Sequence, residues 1–242
     1  MITLEFETIK KCGEFGIEFF LEDGDGTRVS KKFLQLLIRN IIKRSTEYFD
    51  EIGDHIFIYR EKQLHSVVCP SIADLTPCYV IEHPLTRKPH GEEEYSGKSD
   101  YWISYRNYSF IMELKHSYFA YTKANYPRQD ISNKFNKCLS QLKEIKTEEC
   151  RNLSMNKGMI KIALQAIVFY QSSQNDFTNE DLEEHDFIDD FEQLIQNTDL
   201  YESNVRSLWL LHDRLFQSFE YDNGYEIYPA VAFVGKVFDV IT

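Results

Sequence analysis

Two short apolar runs on either side of a polar dipeptide are the feature that most constrains the fold of this chain. The first run, SDYWISY, alternates polar and apolar residues as far as Tyr105, and the second, SFIMELK, begins after Tyr108. Alternation with a period of two is typical of half-buried β-strands. A two-residue turn at Arg106 and Asn107 would join the runs, so the pattern predicts a β-hairpin.

Three charged residues interrupt these otherwise apolar strands. A two-residue turn aligns Asp100 directly with Glu113, so that their Cβ atoms would lie about 4.5–5.5 Å apart. Lys115 shares the face of Glu113, because side chains two residues apart on a strand point to the same side. A three-residue turn would shift the register and separate the two carboxylates. Charges within an apolar strand are costly unless they are paired or functional, which favours a functional site over a solvated sheet face.

The residue types in this cluster suit metal-assisted chemistry. Carboxylates that face each other repel, and a hard divalent cation relieves that repulsion better than one lysine does. A metal held there can polarise a phosphoryl group and activate a water, while Lys115 orients the water or stabilises the developing charge. The E-x-K pattern by itself is weak, because Glu144-Ile145-Lys146 repeats it on a predicted helix, where an exposed surface is the better interpretation.

Helical and extended patterns alternate along the chain, which predicts an α/β fold with helices flanking a central sheet. The polar segment 86–98 is predicted to be a loop. Pro70 is expected to bend or interrupt its helix, and Pro229 is expected at a sheet edge or a bulge. Helices are predicted at 31–49, 60–73, 130–150 and 204–220. Besides the hairpin, strands are predicted in FGIEFFLEDGDGTRVS, ahead of its tight turn, and at 78–85, 159–171 and 225–240.

Composition restricts the class of protein. The N-terminus lacks the apolar block of a signal peptide, and no stretch approaches the roughly 20 apolar residues that cross a bilayer, so we expect a soluble cytoplasmic protein without a membrane partner. The five cysteines are odd in number and form no C-x-x-C pair, which argues against a disulfide framework and against a zinc ribbon. The histidines show no metal-binding spacing, and no phosphate-binding glycine loop is present.

Charge is unevenly distributed. The formal net charge of −12 argues against a protein that coats nucleic acid along its whole surface. The segment 121–161 nevertheless contains nine lysines and arginines against four acids, so it could contact a phosphate backbone locally. The run 176–192 contains nine acids and no lysine or arginine, and we interpret it as a solvated helix face or loop.

Asp100 in GKSDYWISY and Glu113-Leu114-Lys115 in FIMELKH resemble the signature of the PD-(D/E)XK phosphodiesterase superfamily, which includes restriction endonucleases and Holliday-junction resolvases. Ser99 stands where the family name has proline, a residue that many members also lack. The resemblance implies that Asp100 and Glu113 bind Mg²⁺ or Mn²⁺, that Leu114 adds its backbone carbonyl, and that Lys115 assists the attacking water.

The same resemblance implies a restriction-endonuclease-like fold, with a central mixed β-sheet flanked by helices. It implies one domain over residues 1–242, in which a core at about 56–171 carries N-terminal and C-terminal extensions. Two further positions resemble the family less specifically. Glu61 fits an acid on the helix before the core sheet, and a first-turn acid favoured by the helix dipole is the alternative. Gln141 fits a catalytic residue on the helix after the E-x-K strand, and an ordinary surface residue is the alternative.

Lys134 and Lys137 lie on the same predicted helix as Gln141 and are candidates for contacting nucleic acid. The function implied by the resemblance is a Mg²⁺-dependent nuclease that acts on a nucleic acid, with DNA as the expected substrate. A homodimer is possible, because many similar nucleases cut two strands as dimers. A non-catalytic module of the same fold that binds a protein or a nucleic acid is the alternative, favoured by the acidic net charge.

Overall fold

The computed structural model describes residues 3–89, 91, 93–122, 128–146, 158–177 and 185–238. Within these ranges the chain forms four α-helices and nine β-strands. The helices are α1 (Asp25–Ile52), α2 (Glu61–Ala73), α3 (Gln129–Lys143) and α4 (Phe187–Gln196). The strands are β1 (Phe6–Ile9), β2 (Gly13–Phe19), β3 (Tyr79–Arg87), β4 (Tyr95–Tyr105), β5 (Tyr108–Ala120), β6 (Gly158–Ser173), β7 (Val205–Leu211), β8 (Phe219–Tyr221) and β9 (Gly224–Val237). Short 3₁₀ turns lie at Ile56–Ile58, Asp199–Glu202 and Asp213–Leu215.

All of these strands belong to one mixed sheet. Its order is β1-β2-β7-β9-β6-β5-β4-β3, and β8 pairs with β9 at its end. Strands β5 and β6 are parallel, and α3 makes the crossover between them; the other described pairs are antiparallel. The fold is therefore mixed α/β, as the alternation of helical and extended patterns predicted. In this order β1 and β3 are the edges of the sheet.

Helices cover both faces of the sheet. On β5, Phe110, Met112 and Leu114 pack in a core with α1 and α2, whereas Ile111 and Phe119 pack in a second core with α3 and α4. Both cores are needed because β5 lies inside the sheet and is apolar at nearly every position, so each of its faces must be kept from water. The charged residues of β5 are thus enclosed between two apolar layers.

The predicted helix at 204–220 is wrong. This segment contains strand β7, then a 3₁₀ turn and strand β8. Trp209 is buried, as expected of a core residue, but it lies on a strand paired with β2 and β9. Strand β7 has buried residues on both faces, and its last four residues, LWLL, are all apolar, so the strand shows no strict alternation. A short apolar run of this kind does not distinguish a buried strand from a helix.

Strand β3 is longer than predicted. It continues through Pro84 to Arg87, and β4 begins already at Tyr95, so both ends of the predicted loop at 86–98 belong to strands. Proline is compatible with this position because β3 is an edge strand, where one row of N–H groups has no strand partner. The correction matters for the site, because it brings Arg87 into the sheet.

The remaining differences concern element ends. Helix α1 begins at Asp25, before the predicted start, and α3 ends at Lys143, so Glu144-Ile145-Lys146 follows the helix; residues 147–150 lie outside the described ranges. Helix α2 continues across Pro70 without interruption. Pro229 lies at a bulge, as predicted: the β6–β9 register shifts by one residue between the pairs Phe169–Ala230 and Gln171–Ile227. These shifts leave the order of elements unchanged.

None of the helices in the described ranges combines the length and the apolar composition needed to cross a membrane. Four cysteines fall in those ranges, and all four are free thiols. The fifth, Cys150, lies outside the described residues, as do His90 and parts of the predicted basic and acidic segments.

Candidate active site

The β4–β5 hairpin has the predicted two-residue turn. Arg106 and Asn107 have φ values of 48° and 64°, the left-handed conformation that both central residues of a type I′ turn require. The paired residues run from Tyr105–Tyr108 at the turn to Tyr101–Met112. The predicted register of the hairpin is therefore confirmed from the turn to Tyr101–Met112, whereas the predicted pair of Asp100 and Glu113 lies one step beyond the paired residues.

The two strands separate at this point. Beyond Tyr101, β4 continues beside β3, whereas β5 continues beside β6 as far as the pair Ala120–Tyr170. The β3–β4 register also omits Asp100, although it includes Ser99 and Tyr101 on either side. We call this region the fork. It leaves backbone groups of two strands without a strand partner and opens space for side chains inside the sheet.

Asp100 occupies the fork by replacing a strand partner. Its Oδ2 accepts a hydrogen bond of 2.7 Å from the backbone N–H of Leu114. An unpaired buried N–H is costly, so this bond both satisfies the backbone of β5 and fixes the carboxylate. The carboxylate is thereby held beside the strand that carries Glu113 and Lys115.

The ammonium of Lys115 lies among oxygen atoms from three elements. Its Nζ is 2.8 Å from the carbonyl oxygen of Leu114, 3.4 Å from Oε1 of Glu61 and 3.6 Å from Oδ2 of Asp100. Burial lowers the pKa of this ammonium, but the charges of Asp100 and Glu61 raise it further, and the net pKa is raised. Lys115 is therefore a cation at neutral pH.

Glu61 reaches the cluster from the first residue of α2. The N-terminus of a helix carries a partial positive charge, which favours a carboxylate there. The Glu61 side chain is 38% exposed, so the carboxylate that pairs with the buried Lys115 is itself in contact with solvent. The structure thus brings Glu61, Asp100 and Lys115 together, although they lie on α2, β4 and β5.

Glu113 is buried and bound to an arginine that the sequence analysis did not select. Its Oε1 accepts a hydrogen bond of 2.6 Å from Nη2 of Arg87, and the side chains are 1% and 3% exposed. Burial, and next the negative charge of Asp100, raise the pKa of Glu113 to about 7, although Arg87 opposes both effects. Among the described residues, no hydrogen bond involves the second oxygen, Oε2. Glu113 is therefore a carboxyl group that gains or loses its proton near neutral pH.

Hydrogen bonds to three residues hold the guanidinium of Arg87 in place. Its Nη2 also donates to the carbonyl oxygen of Lys98 at 2.6 Å, and its Nη1 donates to the carbonyl oxygen of Gln141. The side chain lies against Gly97, where a Cβ atom would be 2.8 Å from Nε and 2.9 Å from Cδ of Arg87. Gly97 thus provides the room that the guanidinium needs.

Arg87 was missed because the segment around it was predicted to be a loop. A signal that could have found it is the spacing of Leu85 and Arg87, two residues apart on one face of a strand. Pro84 does not exclude a strand there, because an edge strand tolerates proline. Leu85 and Arg87 are both buried, and they lie on the same side of β3. An arginine at a buried strand position needs an anionic partner, and Glu113 is that partner.

Helix α3 packs over Glu113. The Sγ of Cys138 contacts the carbonyl oxygen of Glu113 at 3.3 Å, and burial raises the pKa of this thiol. Gln141 contacts the site through its backbone carbonyl, which binds Arg87. Its side-chain Oε1 is buried, with no hydrogen-bond partner among the described residues. Gln141 is therefore adjacent to Arg87, and among the described residues no hydrogen bond joins it to Lys115.

The two lysines proposed for nucleic-acid contact lie on α3. Lys134 forms an ion pair of 2.7 Å with Asp130 one turn earlier. The charge of Lys134 adds to burial in lowering the pKa of His116 on β5 to about 4, so that histidine is neutral. Lys137 is exposed, and within the described ranges it forms no ion pair. Both lysines remain accessible on the helix that covers Glu113.

The charge distribution of the fork suits a hard cation. No group of three or more histidine, cysteine, aspartate or glutamate side chains in the described part of the chain could hold a metal ion by itself. The fork does contain Asp100, Glu113 and the carbonyl oxygen of Leu114, and the negative charge of Asp100 adds to burial in raising the pKa of Glu113. One or two carboxylates with water and phosphate oxygens are the usual ligands of Mg²⁺. Asp100, Glu113 and the Leu114 carbonyl are therefore the groups of the fork that could contribute to such a site.

Comparisons of the chain with protein-family models, with curated proteins and with solved structures found no match.

Proposed function

We propose that this chain is a Mg²⁺-dependent phosphodiesterase of the PD-(D/E)XK type, with a restriction-endonuclease-like sheet, that hydrolyses a nucleic-acid backbone. DNA is the expected substrate. The observation that carries the proposal is the position of the buried Lys115 ammonium, 3.4 Å from Glu61 and 3.6 Å from Asp100, two residues after Glu113. Titratable groups gathered in this way at an interruption of a sheet are typical of catalytic sites.

Asp100, Glu113 and the carbonyl oxygen of Leu114 are the groups that would hold Mg²⁺ or Mn²⁺. A bound divalent cation supplies positive charge that polarises a phosphoryl oxygen and lowers the pKa of a coordinated water. Asp100 is already oriented for this role by the Leu114 N–H, and Arg87 holds Glu113 through one oxygen only. Both carboxylates are therefore positioned before a cation binds, which reduces the entropy lost on binding.

Lys115 acts as a cation. Because its pKa is raised, it carries a proton at neutral pH and donates hydrogen bonds to the attacking water or to a non-bridging phosphate oxygen. This interaction strengthens as negative charge develops on the phosphate. Glu61 is the partly exposed carboxylate beside Lys115 and is the group available to accept the proton of the attacking water.

Helix α3 supports the same function. Lys134 and Lys137 are accessible cations near the fork, and phosphate contacts of this kind position a nucleic acid without reading its sequence. Gln141 holds Arg87 through its backbone, and its buried Oε1 is an unused acceptor beside the site. Gln141 is thus a positioning residue for the Arg87–Glu113 pair.

The test is cleavage of fluorescent DNA, single-stranded and duplex, by the purified protein with Mg²⁺, with Mn²⁺ and with EDTA. Lys115→Ala should lower the metal-dependent rate by about 100-fold or more, the loss expected when one group stabilising the transition state is removed. Lys146→Ala is the matched control, because Lys146 belongs to the other E-x-K pattern, where it contacts Glu94. Equal rates for Lys115→Ala and the wild type would exclude this site from the reaction.

A binding module without catalysis is the second candidate, and two observations favour it. The net charge of −12 opposes a phosphate ligand, and Arg87 already neutralises one carboxylate of the fork. This candidate, which would bind a protein or a nucleic acid, predicts no cleavage with Mg²⁺ or with EDTA, and any binding of DNA should be the same under both conditions. The cleavage assay therefore distinguishes the two functions.

A further inference from the structure

A cleft lined by tyrosines lies close to the fork. It has a volume of about 740 Å³, within the range of small-molecule sites. Its walls come from the 3₁₀ turn before α2, from the ends of β5 and β6, and from the β8–β9 hairpin. Five tyrosines line it: Tyr118, Tyr170, Tyr221, Tyr225 and Tyr228.

Four of these tyrosines contact one another in series. The rings of Tyr118 and Tyr170 meet edge to face at 6.2 Å, and those of Tyr170 and Tyr228 are stacked at 6.4 Å. The hydroxyl of Tyr221 is 3.3 Å from that of Tyr228, and the Tyr221 side chain is 45% exposed. The hydroxyl of Tyr118 donates to two backbone carbonyls at 3.0 Å, which fixes its ring. The cleft therefore presents rigid aromatic surface to solvent.

The polar groups of the cleft indicate which ligand it suits. The described residues that line it include no lysine or arginine, so it lacks the groups that bind phosphate. They do include Glu226, Asn223 and Ser172, which accept hydrogen bonds, and the last two also donate them. Aromatic rings with neutral and acidic hydrogen-bonding groups match a nucleobase, whose faces stack and whose amino groups donate to a carboxylate.

The cleft and the fork share two structural elements. Tyr118 follows Lys115 by three residues on β5, so the two side chains leave opposite faces of that strand. The Lys115 ammonium nevertheless reaches Glu61, three residues after Ile58, and Ile58 lines the cleft. Three residues of a strand span about 10 Å, which is roughly three base steps of stacked DNA at about 3.4 Å each. A nucleic acid with a phosphate at the fork can therefore place a nearby base in the cleft.

We propose that the tyrosine cleft binds an unpaired nucleobase of single-stranded DNA while the backbone of that strand passes the fork. The choice of a nucleic acid as the occupant rests on the function proposed above. A base in a duplex is stacked and paired, so it enters such a cleft only after leaving the helix. The cleft thereby selects single-stranded substrate over duplex.

The test is fluorescence anisotropy of a labelled single strand of roughly 12 nucleotides, within the site sizes of single-strand binders, with EDTA present to prevent hydrolysis. Tyr221→Ala should weaken binding about 5- to 100-fold, as the loss of one base–aromatic stack does. Tyr221→Phe should bind like the wild type, because the ring is retained. Tyr201→Ala is the matched control, since Tyr201 is 62% exposed and does not line the cleft.

A second strand, with abasic sites in place of its bases, separates stacking from backbone contacts. It should bind the wild-type protein more weakly than the normal strand does, and Tyr221→Ala should reduce the difference in affinity between the two strands. The proposal is overturned if the wild type binds no single strand, if it binds duplex equally well, or if Tyr221→Ala binds like the wild type. If binding depends on Tyr221 but the protein does not cleave DNA, hydrolysis is rejected and base binding by the cleft is supported. If the protein cleaves DNA and binding does not depend on Tyr221, only the proposal about the cleft is rejected.

Discussion

Arg87 and Glu113 form a buried ion pair of 2.6 Å between the edge strand β3 and the central strand β5. Because both side chains are almost inaccessible, the loss of one partner leaves the other charged group without compensation. We expect Arg87→Met to lower the free energy of unfolding by about 3–5 kcal/mol, measured by urea denaturation at pH 8. The pH is chosen above the raised pKa of Glu113, so that the carboxyl group is ionised.

Two variants give this measurement its controls. Arg44→Met removes a more exposed ion pair with Asp74 and should cost less than about 1 kcal/mol. Arg87→Met combined with Glu113→Met removes both charges and should be more stable than Arg87→Met alone, because no buried charge then lacks a partner. Equal costs for Arg87→Met and Arg44→Met would contradict the buried pair.

Gly97 should tolerate no side chain. In Gly97→Ala the new methyl group would lie 2.8–2.9 Å from the Arg87 side chain, so the guanidinium must move away from Glu113. We expect a loss of about 1–3 kcal/mol, as for other overpacked sites, together with a decrease in metal-dependent cleavage. Gly24→Ala is the control for both measurements, because the atom nearest to the added Cβ, Oγ1 of Thr27, would lie 3.7 Å away. If Gly97→Ala is less stable but cleaves DNA like the wild type, the contact between Arg87 and Glu113 is not needed for activity.

Asp100 has a structural role and a proposed metal-binding role, and two substitutions distinguish them. Asp100→Asn keeps an oxygen that can accept from the Leu114 N–H, so its stability should be near that of the wild type while metal-dependent cleavage is lost. Asp100→Ala leaves that N–H without its partner and should cost a further 1–3 kcal/mol, roughly the cost of an unpaired buried group.

Thermal denaturation of both Asp100 variants, alongside the cleavage assay, measures the two effects separately. Asp130→Asn is a suitable comparison, because Asp130 is an exposed acid paired with Lys134. Retention of full cleavage by Asp100→Asn would show that the charge of this residue is not needed for the reaction.

Glu113 should give the protein a distinctive pH dependence. Its pKa rises from an ordinary 4.5 to about 7 in the folded chain, so between these values the folded protein holds a proton that the unfolded chain has released. Protonation of Glu113 therefore stabilises the fold as the pH falls from 7 to 4.5. Burial lowers the pKa of His55 and of His116 to about 4, which has the opposite effect over this range.

The contribution of Glu113 is isolated by comparing the wild type with Glu113→Gln, because both proteins contain the two histidines. The free energy of unfolding of the wild type, minus that of the variant, should increase as the pH falls from 7 to 4.5. Urea denaturation at several pH values measures this difference. A difference that decreases over the range would mean that the pKa of Glu113 is lowered, as in an ordinary salt bridge. Binding of Mg²⁺ to the wild type should weaken below pH 7, because protons then compete for Glu113.

The sequence was most informative where local chemistry determines the structure. A dipeptide turn flanked by alternating residues fixed the hairpin register, so the neighbourhood of Asp100 and Glu113 could be predicted without knowledge of the rest of the chain. Segment 204–220 was predicted to be a helix because β7 is covered on both faces, which removes the alternation that marks a strand. Only the position of β7 inside the sheet resolves that ambiguity.

The local pattern could have placed Arg87 at a buried strand position, but it could not identify the partner of Arg87, because Glu113 lies 26 residues away. The approach of Glu61 to Lys115 is likewise a tertiary contact, between residues 54 positions apart. The resemblance suggested Glu61 as a site residue, whereas the distance to Lys115 came only from the fold. Register can thus be predicted from the sequence of a hairpin, but the groups that neutralise its charges require the packing of distant elements.

The Leu114 N–H donates its hydrogen bond to the Asp100 side chain, and this carboxylate is proposed to bind a cation. The neighbours of Leu114 on the same strand are held by the ladder, so their hydrogen–deuterium exchange follows the opening of the sheet. Exchange at Leu114 should also depend on whether the Asp100 carboxylate keeps its hydrogen bond to the Leu114 N–H. This single amide is therefore a native spectroscopic probe of the fork, and it would report a cation or a phosphate arriving there without any label or turnover.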